Sequence, residues 1–448
     1  MRLWLGVDDP PKKVVRNEGG TSEAGRRNSI PPAITIAAMR RLEPLALTVL
    51  AFVLAISVCG QLPPSQTLSP EDAKGMNEEL DRLNRLLSSA NDKCSVEYQI
   101  ARTYAAGQQY PQAIYWLTKV TDANAGFDAS RDPLFAPLHL TKEFQGLLTR
   151  MREQNAPVLN SHPFADVPET DLFPENLAYD PVQNAFYLGS TYQDEIVRCA
   201  RGGCVAFVSP HRDRLGEVLG LKLDASSHTL WSTSNSENGA SLRHYELGSG
   251  RLIRNYPLSG NHLFNDLAIS RRGDVFVTDT KEGSVYELPH GAASLERLAS
   301  AHQFTAANGI ALSPDDRLLY VASFGDGIAA VDVVNGPVQP IAHPADVCLG
   351  YIDGLYATKT SLIAIQNGYM LPRVVRFDLS GDGQRITGMK VLERRNPVFE
   401  GITTGDLHGN DFYFIANPQM DKVDNGKIKP NEHLDPLQIL KIDIESAK

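Results

Sequence analysis

The sequence predicts a mainly β protein, a six-bladed β-propeller preceded by a small α-helical segment. Three observations support this fold class. Short apolar runs separated by Gly, Asp, Asn and Ser fill the chain from about residue 165 to residue 448, one unit recurs six times there, and its period is about 43 to 47 residues. That period is typical of propeller blades with about four strands each. Six units close into a ring, which removes exposed sheet edges.

The repeated unit consists of a polar residue, an apolar run, a turn and a second strand-like run. Its clearest copy is residues 308–323, Asn-Gly-Ile-Ala-Leu-Ser-Pro-Asp-Asp-Arg-Leu-Leu-Tyr-Val-Ala-Ser. Aligning the other copies on this one gives six unit starts: Glu175, near Leu219, Asn265, Asn308, Asp353 and Glu400. The innermost strand of each blade runs along the central channel, so we expect these positions to converge on one axis.

Five of these six starting residues carry carboxylate or amide oxygens, and only Leu219 departs from the polar pattern. Such oxygens are hard metal ligands, and burying several of them together is costly unless a cation coordinates them. An Asn before Gly is commonly a turn residue or a backbone cap. Four matches in the same phase of the repeat are harder to explain by turn chemistry. The pattern therefore predicts a divalent cation on the channel axis.

Composition and charge exclude one class of partner. The chain has 448 residues, of which 42% are hydrophobic and 21% charged, and this is typical of a globular protein with two or three structural units. Its formal net charge is -10 at pH 7. Nucleic acid binding requires a basic face, so the charge argues against nucleic acid as a partner.

The beginning of the chain predicts export. Residues 1–38 carry no apolar period and predict either a disordered segment or a start codon assigned too early. Residues 39–60 combine a basic start with about 15 apolar residues, the pattern of a secretory signal peptide. A retained membrane anchor or a lipid on Cys59 is the alternative. We expect a mature protein from about residue 61 that is periplasmic, secreted or membrane-anchored.

Export to an oxidising compartment makes the cysteines informative. Cys199 and Cys204 flank a short Ala-Arg-Gly-Gly turn between two strand-like runs, and such cross-strand neighbours fit a disulfide. The alternative is two thiols on a sheet edge. Cys94 and Cys348 fall in different predicted domains, so we expect them to be unpaired. No spacing of Cys and His suggests a zinc site.

A helical segment is predicted over residues 78–156, after a polar linker over residues 61–77. Within it, residues 98–107 and 110–119 resemble a tetratricopeptide helical hairpin, with small alanines on the first helix and Gly107 at the turn. The resemblance implies a possible docking site for a protein partner. A single such repeat needs neighbours to cover its apolar face, so we also expect packing against the propeller. A plain helical spacer is the alternative.

The motifs Asn308-Gly-Ile-Ala-Leu-Ser-Pro-Asp, Asn265-Asp266 and Asp353-Gly354 resemble those of the senescence marker protein, gluconolactonase and luciferin-regenerating enzyme family. Paraoxonases are more distant relatives, and the resemblance covers about residues 170 to 445. It implies a six-bladed propeller with a divalent cation at the channel mouth, most often Ca²⁺, with Zn²⁺ or Mn²⁺ as alternatives. The implied metal ligands are Glu175, Asn308 and Asp353.

The resemblance also assigns roles beyond these three ligands. Asn265 matches a residue that contacts substrate in the lactonases and metal in the paraoxonases. Glu400 lies in the same phase on the last blade, so it is a candidate fifth oxygen or a hydrogen-bond acceptor behind the ligands. Asp353 is the implied catalytic base, with Asp266 and His262 as alternatives. His262 qualifies because a neutral imidazole near the channel is suited to proton transfer at pH 7.

Three functions follow as hypotheses. The first is a metal-dependent hydrolase of a small-molecule lactone or ester, in which the cation polarises the carbonyl and activates water. The second is a non-catalytic binding propeller with a structural cation and a helical segment that docks a protein. The third, a lyase similar to strictosidine synthase, has little support because no residues supply an amine-handling pocket.

Overall fold

The computed structural model of the chain describes residues 62–63, 67–334, 337–368, 371–424 and 426–447. The predicted disordered start (residues 1–38) and signal peptide (residues 39–60) lie outside the described residues. Within the described ranges, no helix is both long enough and apolar enough to cross a membrane.

Helices occupy the first part of the described chain. The α-helices are α1 (Pro70–Ser89), α2 (Lys93–Ala106), α3 (Tyr110–Asp122) and α4 (Lys142–Gln154), and short 3₁₀ helices cover Ala129–Arg131, Pro133–Leu138, Arg212–Arg214 and Met420–Lys422. The predicted linker over residues 61–77 was wrong in its second half, because α1 begins at Pro70. Ser69 caps this helix by accepting a hydrogen bond from the Asp72 N–H, and proline suits the first helical position.

The helical segment packs against the propeller through a shared apolar core. Tyr98 on α2 stacks on Phe127 with 4.2 Å between ring centroids, and Phe127 makes an edge-to-face contact with Tyr351 of the propeller. Cys94 on α2 and Cys348 of the propeller belong to the same buried cluster. Propeller residues therefore cover part of the apolar face of the helical segment. Its tetratricopeptide character stays a prediction.

Six four-stranded antiparallel sheets form the propeller, as the repeat predicted. The first strand, β1 (His162–Val167), precedes blade 1, which holds β2 (Pro174–Asp180), β3 (Ala185–Ser190), β4 (Ile196–Ala200) and β5 (Gly203–Val208). Blade 2 holds β6 (Leu221–Asp224), β7 (Thr229–Ser236), β8 (Gly239–Glu246) and β9 (Leu252–Ser259). Blade 3 holds β10 (Phe264–Ile269), β11 (Val275–Asp279), β12 (Ser284–Leu288) and β13 (Glu296–Ala299).

The remaining blades follow the same order. Blade 4 holds β14 (Ala307–Leu312), β15 (Leu318–Ser323), β16 (Gly327–Asp332) and β17 (Val338–Pro340). Blade 5 holds β18 (Ile352–Ala357), β19 (Ser361–Gln366), β20 (Arg373–Leu379) and β21 (Ile386–Arg394). Blade 6 holds β22 (Gly405–His408), β23 (Asp411–Ile415) and β26 (Leu437–Asp443), and a separate pair consists of β24 (Val423–Asp424) and β25 (Lys427–Ile428).

The ring is closed by strands from both ends of the propeller sequence. β1 pairs antiparallel with β26 and becomes the outermost strand of blade 6, so its sheet order is β1-β26-β23-β22. This arrangement joins the start of the propeller to its end through backbone hydrogen bonds. In each of the six sheets, the strand next to the channel is the first strand of the blade, from β2 in blade 1 to β22 in blade 6.

The cysteines occupy two different settings. Cys199 and Cys204 are directly opposite each other on β4 and β5 and form a disulfide, with their Cα atoms 4.0 Å apart. Cys94 and Cys348 are both buried and carry no disulfide in the structure. They nevertheless lie side by side where the helical segment meets the propeller.

Candidate metal centre

Four of the six inner strands are irregular at the same position. In β2, β10, β14 and β18 the pairing register shifts between the first and the fourth residue of the strand. The residues inside these shifts include Glu175, Asn265, Asn308 and Asp353, the four predicted metal-binding residues. A bulge of this kind re-aims side chains at the rim of a sheet. The same local distortion therefore recurs in each of the four blades that carry a predicted ligand.

The side chains at these positions are buried and leave oxygen atoms without partners. Glu175, Asn265, Asn308 and Asp353 are each no more than 1% exposed. Five of their oxygens have no hydrogen-bond partner among the described residues: both carboxylate oxygens of Glu175, Oδ1 of Asn265, Oδ1 of Asn308 and Oδ1 of Asp353. Buried polar atoms are ordinarily hydrogen-bonded, so this cluster requires an explanation.

Several contacts bring three of the four residues to one end of the channel. The Asp353 carboxylate accepts a hydrogen bond from the Asn367 side chain, and the Asn308 side chain lies close enough to lower its pKa. The Asn265 amide donates to the Thr280 hydroxyl (3.1 Å), which in turn donates to the backbone carbonyl directly before Asn308 (2.6 Å). These contacts join blades 3, 4 and 5 around Asn265, Asn308 and Asp353.

Hydroxyl groups of the neighbouring blades hold the ligand strands in place. Thr278 of blade 3 donates to the Asn308 carbonyl (2.8 Å). On blade 6, Thr403 and Thr404 both donate to the Glu175 carbonyl, at 2.9 and 2.5 Å. Each of these bonds crosses from one blade to the next. The backbone on which the candidate ligands sit is therefore fixed by contacts between blades as well as within them.

Burial of the carboxylates, followed by their mutual repulsion, shapes the electrostatics of this end of the channel. Burial raises the pKa of Glu175 well above its ordinary value, and the charges of Asp353, Glu217 and Asp266 raise it further. Burial also raises the pKa of Asp353 to about 7, although hydrogen bonds from Asn367 and Asn308 oppose the rise. Two acidic groups in one buried site favour neutralisation by a cation.

The donor set fits a hard divalent cation. It combines two carboxylates with two amide oxygens, all buried, which is the ligand chemistry that Ca²⁺ prefers. Cysteine and histidine are not among the four residues, so a soft thiolate or imidazole site is not formed here. Two carboxylates also match the charge of a divalent ion.

Asp266, one of the alternative bases, accepts hydrogen bonds from neighbouring residues in the channel. It is buried, and its Oδ1 accepts from the Leu267 N–H at 2.8 Å and from the Asn176 amide at 3.4 Å. Burial raises its pKa, and the positive charge of Lys222 opposes that rise. Asp266 therefore lines the channel, but its oxygens are not left without partners as those of Glu175 are.

His262, the other alternative base, lies two residues before β10. Its Nδ1 is 2.6 Å from Oδ2 of the fully buried Asp279 at the end of β11. The same carboxylate accepts from the Leu263 N–H at 3.1 Å. This pair anchors the loop that leads into the channel strand of blade 3, which is a structural use of the histidine.

Glu400 does not occupy the expected position on blade 6. It lies in the loop before β22, and its carboxylate is 3.2 Å from the Lys422 ammonium. The position equivalent to Glu175 on blade 6 belongs to Thr403, which contacts the Glu175 backbone. The Glu-Gly-Ile run at residue 400 resembles the Asn-Gly-Ile motif, and that likeness shifted the alignment by three residues.

Glu217 is a functional candidate that the sequence reasoning missed. Its backbone N–H and C=O both pair with Asn235, which fixes it two residues before Leu219 at the start of blade 2. Burial, followed by the charge of Asp194, raises its pKa to about 7. Its charge also raises the pKa of Glu175, so it lies near the candidate ligands. An acidic residue beside the one unit start without a ligand was the available signal.

Comparisons with known proteins identify similar folds. No protein-family model matches the chain, and no curated protein matches it. Among solved structures, a gluconolactonase from Xanthomonas campestris is 16% identical, with a TM-score of 0.41 over 64% of this chain and 99% of that chain. A calcium-binding regucalcin from Agrobacterium tumefaciens is 16% identical, with a TM-score of 0.45 over 63% of this chain and 95% of that chain.

A luciferin-regenerating enzyme is 14% identical to this chain, with a TM-score of 0.45 over 65% of this chain and 97% of that chain. These proteins belong to the group that the sequence motifs had pointed to. The predicted fold class is confirmed by the strand pairing of the structure itself: this chain is a six-bladed β-propeller with a small N-terminal helical segment.

Proposed function

We propose that this protein is an exported hydrolase of lactones or esters that depends on a divalent metal, most often Ca²⁺ in proteins of this kind, with Zn²⁺ or Mn²⁺ as alternatives. The observation that carries the proposal is the set of five buried, unpartnered oxygens on Glu175, Asn265, Asn308 and Asp353. Buried oxygens in a structural core are ordinarily hydrogen-bonded, whereas a coordinated cation would satisfy all five of these at once.

The residues at this site have separate roles in holding the cation and orienting its ligands. When bound, the cation supplies Lewis acidity toward a carbonyl oxygen and lowers the pKa of water. Glu175 and Asp353 provide the negative charge that holds it, and Asn265 and Asn308 complete the donor set. Asn367 fixes the orientation of the Asp353 carboxylate through a hydrogen bond of 2.5 Å. Such outer contacts determine ligand geometry and metal affinity.

Proton transfer from water requires a carboxylate that is ionised near neutral pH. Asp353, the base implied by the family resemblance, and Glu217 are the two candidates, since the pKa of each is about 7. Glu217 is not one of the four proposed metal ligands, so its carboxylate is available for proton transfer. The other two candidate bases already have hydrogen-bond partners: Asp266 accepts from Asn176, and His262 is hydrogen-bonded to Asp279.

Export is part of the proposal. The apolar segment over residues 39–60 supports it, and so does the Cys199–Cys204 disulfide, since such bonds persist in oxidising compartments. A protein partner that docks on the helical segment stays a prediction. The part of the helical apolar face that contacts Cys348 and Tyr351 is covered by the propeller and is closed to such a partner.

The experiment combines metal analysis with an activity panel. We expect the purified protein to contain about one divalent ion per chain, to hydrolyse lactones or aryl esters, and to lose both metal and activity with a chelator. Asn308→Ala should lose the metal, while Asn238→Ala, at an exposed turn, should keep it. A protein that binds the metal but hydrolyses nothing on the panel would favour the non-catalytic propeller. A protein without metal affinity would overturn the proposal.

A further inference from the structure

Two buried thiols meet at the junction between the helical segment and the propeller. Cys94 lies in the first turn of α2 and is 5% exposed, and Cys348 lies in the loop between β17 and β18 and is 1% exposed. Their Sγ atoms and a carboxylate oxygen of Asp92 all lie within 4.8 Å of one another. Burial, followed by the nearby Cys94 thiol, raises the pKa of Cys348.

We propose that Cys94 and Cys348 form a disulfide that fastens the helical segment to the propeller. Both thiols lose their protons and one electron each as the S–S bond forms. A small-molecule disulfide accepts the two electrons and two protons and is released as two thiols. Formation of the bond requires the two Sγ atoms to approach from within 4.8 Å to the ~2 Å of an S–S bond. The pairing was not expected from the sequence, because it joins two predicted domains.

The backbones that carry the two cysteines are already held together. Asn91, just before α2, donates to the carbonyls of Ile328 and Ile341 at 3.3 and 3.0 Å, and its own carbonyl is 2.8 Å from His343 Nε2. Asp92 accepts from the Leu349 N–H at 3.2 Å. These contacts flank both thiols, so the crosslink forms between elements that need little rearrangement.

Close approach at this junction depends on a glycine. A Cβ atom at Gly350 would overlap the Ser95 hydroxyl of α2, and a side chain there would force the two parts of the protein apart. Gly350 therefore allows α2 to pack against the loop that carries Cys348. The contacts of Asn91, Asp92 and Gly350 around the thiol pair therefore favour one fixed arrangement of α2 on the propeller.

A metal ion fits this cluster less well than a disulfide does. The Asp92 carboxylate already accepts hydrogen bonds from Leu349 and from the backbone and hydroxyl of Ser95, so its oxygens are in use. The buried guanidinium of Arg373 interacts electrostatically with Asp92 and both cysteines. A cation placed among these groups would lie beside an existing buried positive charge.

The crosslink would also stiffen the approach to blade 5. Cys348 precedes Asp353 by five residues, and Gln366 holds the loop between them by donating to the carbonyls of Cys348 and Gly350, each at 2.9 Å. A disulfide at Cys348 therefore restrains the start of the strand that presents Asp353. This consequence alone rests on the proposed metal site, whereas the disulfide itself does not.

Peptide mapping of the full chain tests the disulfide. The protein is refolded with oxidised glutathione so that the buried thiols are accessible, then alkylated under denaturing conditions and digested with trypsin without reduction. We expect peptides 94–102 and 318–359 to appear as one linked species. Recovery of both cysteines in alkylated form, or a stoichiometric zinc ion released when the thiols are blocked, would overturn the proposal.

Two further measurements separate the crosslink from its consequences. In a Cys199→Ala/Cys204→Ala background, the oxidised protein should unfold at a temperature ~5 °C above the reduced protein, and Cys348→Ala should abolish the difference. Hydrogen exchange over residues 343–353 should slow on oxidation. If the linked peptide forms but exchange there is unchanged, the restraint on Asp353 is refuted and the disulfide stands. Absence of hydrolase activity affects neither result.

Discussion

The sharpest test of the metal centre is the pH dependence of stability in the Asp353→Asn variant. In the metal-free protein, burial raises the pKa of Asp353 from its ordinary 3.8 to about 7. A carboxyl group with a raised pKa binds its proton more tightly in the folded state than in the unfolded state. The folded state therefore keeps its stability at pH values below about 4 and loses stability as the pH rises toward 7.

The magnitude follows from the size of the rise. At about 1.4 kcal/mol per pH unit, the difference between 3.8 and about 7 corresponds to about 4 kcal/mol of destabilisation above pH 7. Glu175 acts in the same direction, because its pKa is also raised. Asparagine at position 353 has no charge to bury. In chelator at pH 8, Asp353→Asn should therefore be more stable than the unmodified protein by up to about 4 kcal/mol.

Calcium should reduce the difference in stability between the two proteins. At a concentration 100-fold above its dissociation constant, a ligand that binds only the folded state stabilises it by about 2.7 kcal/mol. The unmodified protein should gain this stability at pH 8 and little of it at pH 5, where protons compete with the cation. Asp353→Asn should gain almost none, because it lacks one of the two carboxylates of the donor set.

Thermal unfolding from pH 5 to pH 8, with chelator and with calcium, measures all of these effects. Glu432→Gln, which removes an exposed carboxylate, is the matched control and should follow the unmodified protein. The reasoning fails if the unfolding temperature of the metal-free protein is constant from pH 5 to pH 8. It also fails if calcium stabilises Asp353→Asn as much as the unmodified protein.

Three further predictions concern other parts of the structure. Glu217→Gln should lower kcat/KM at least ~100-fold while metal affinity is kept, and it should remove a rise in rate with a midpoint near pH 7, since a base acts only when ionised. Thr280→Val, which removes the hydroxyl that joins blades 3 and 4, should weaken calcium binding about tenfold in a titration. Gly350→Ala should cost at least about 1–3 kcal/mol of unfolding free energy through overlap with Ser95, whereas Gly381→Ala, with open space around it, should cost little.

The blade count and the positions of the candidate ligands were predictable because both depend on the repeat. Each blade repeats the same strand, turn and strand, so residues in equivalent positions end at the same place in the channel. Glu175, Asn265, Asn308 and Asp353 all lie at the register shift of an inner strand. The bulge itself was not predictable, since it is produced by pairing with the next strand.

Positions that depend on contacts between distant residues were not predictable. Glu400 has the local pattern of a unit start, but the pairing of β22 with β23 begins at Gly405 and places Thr403 on the channel instead. The proximity of Cys94 and Cys348 depends on how α2 docks on the propeller. The start of α1 at Pro70 was predictable from the sequence, because a Ser-Pro-Glu-Asp run is a recognisable helix start.

The docking of the helical segment and the chemistry of the channel are linked by the loop before β18. One side of this loop contacts α2, where Asp92 accepts the Leu349 N–H. The other side of the loop leads into the channel strand, where Asn367 restrains Asp353. The Asn367 backbone N–H donates to the Tyr351 carbonyl at 3.0 Å, and the Asn367 side-chain amide donates to the Asp353 carboxylate at 2.5 Å. The position of the Asp353 carboxylate therefore depends on how rigidly the loop before β18 is held. The helical segment is therefore best understood as a support that keeps one of the two proposed metal-binding carboxylates in position.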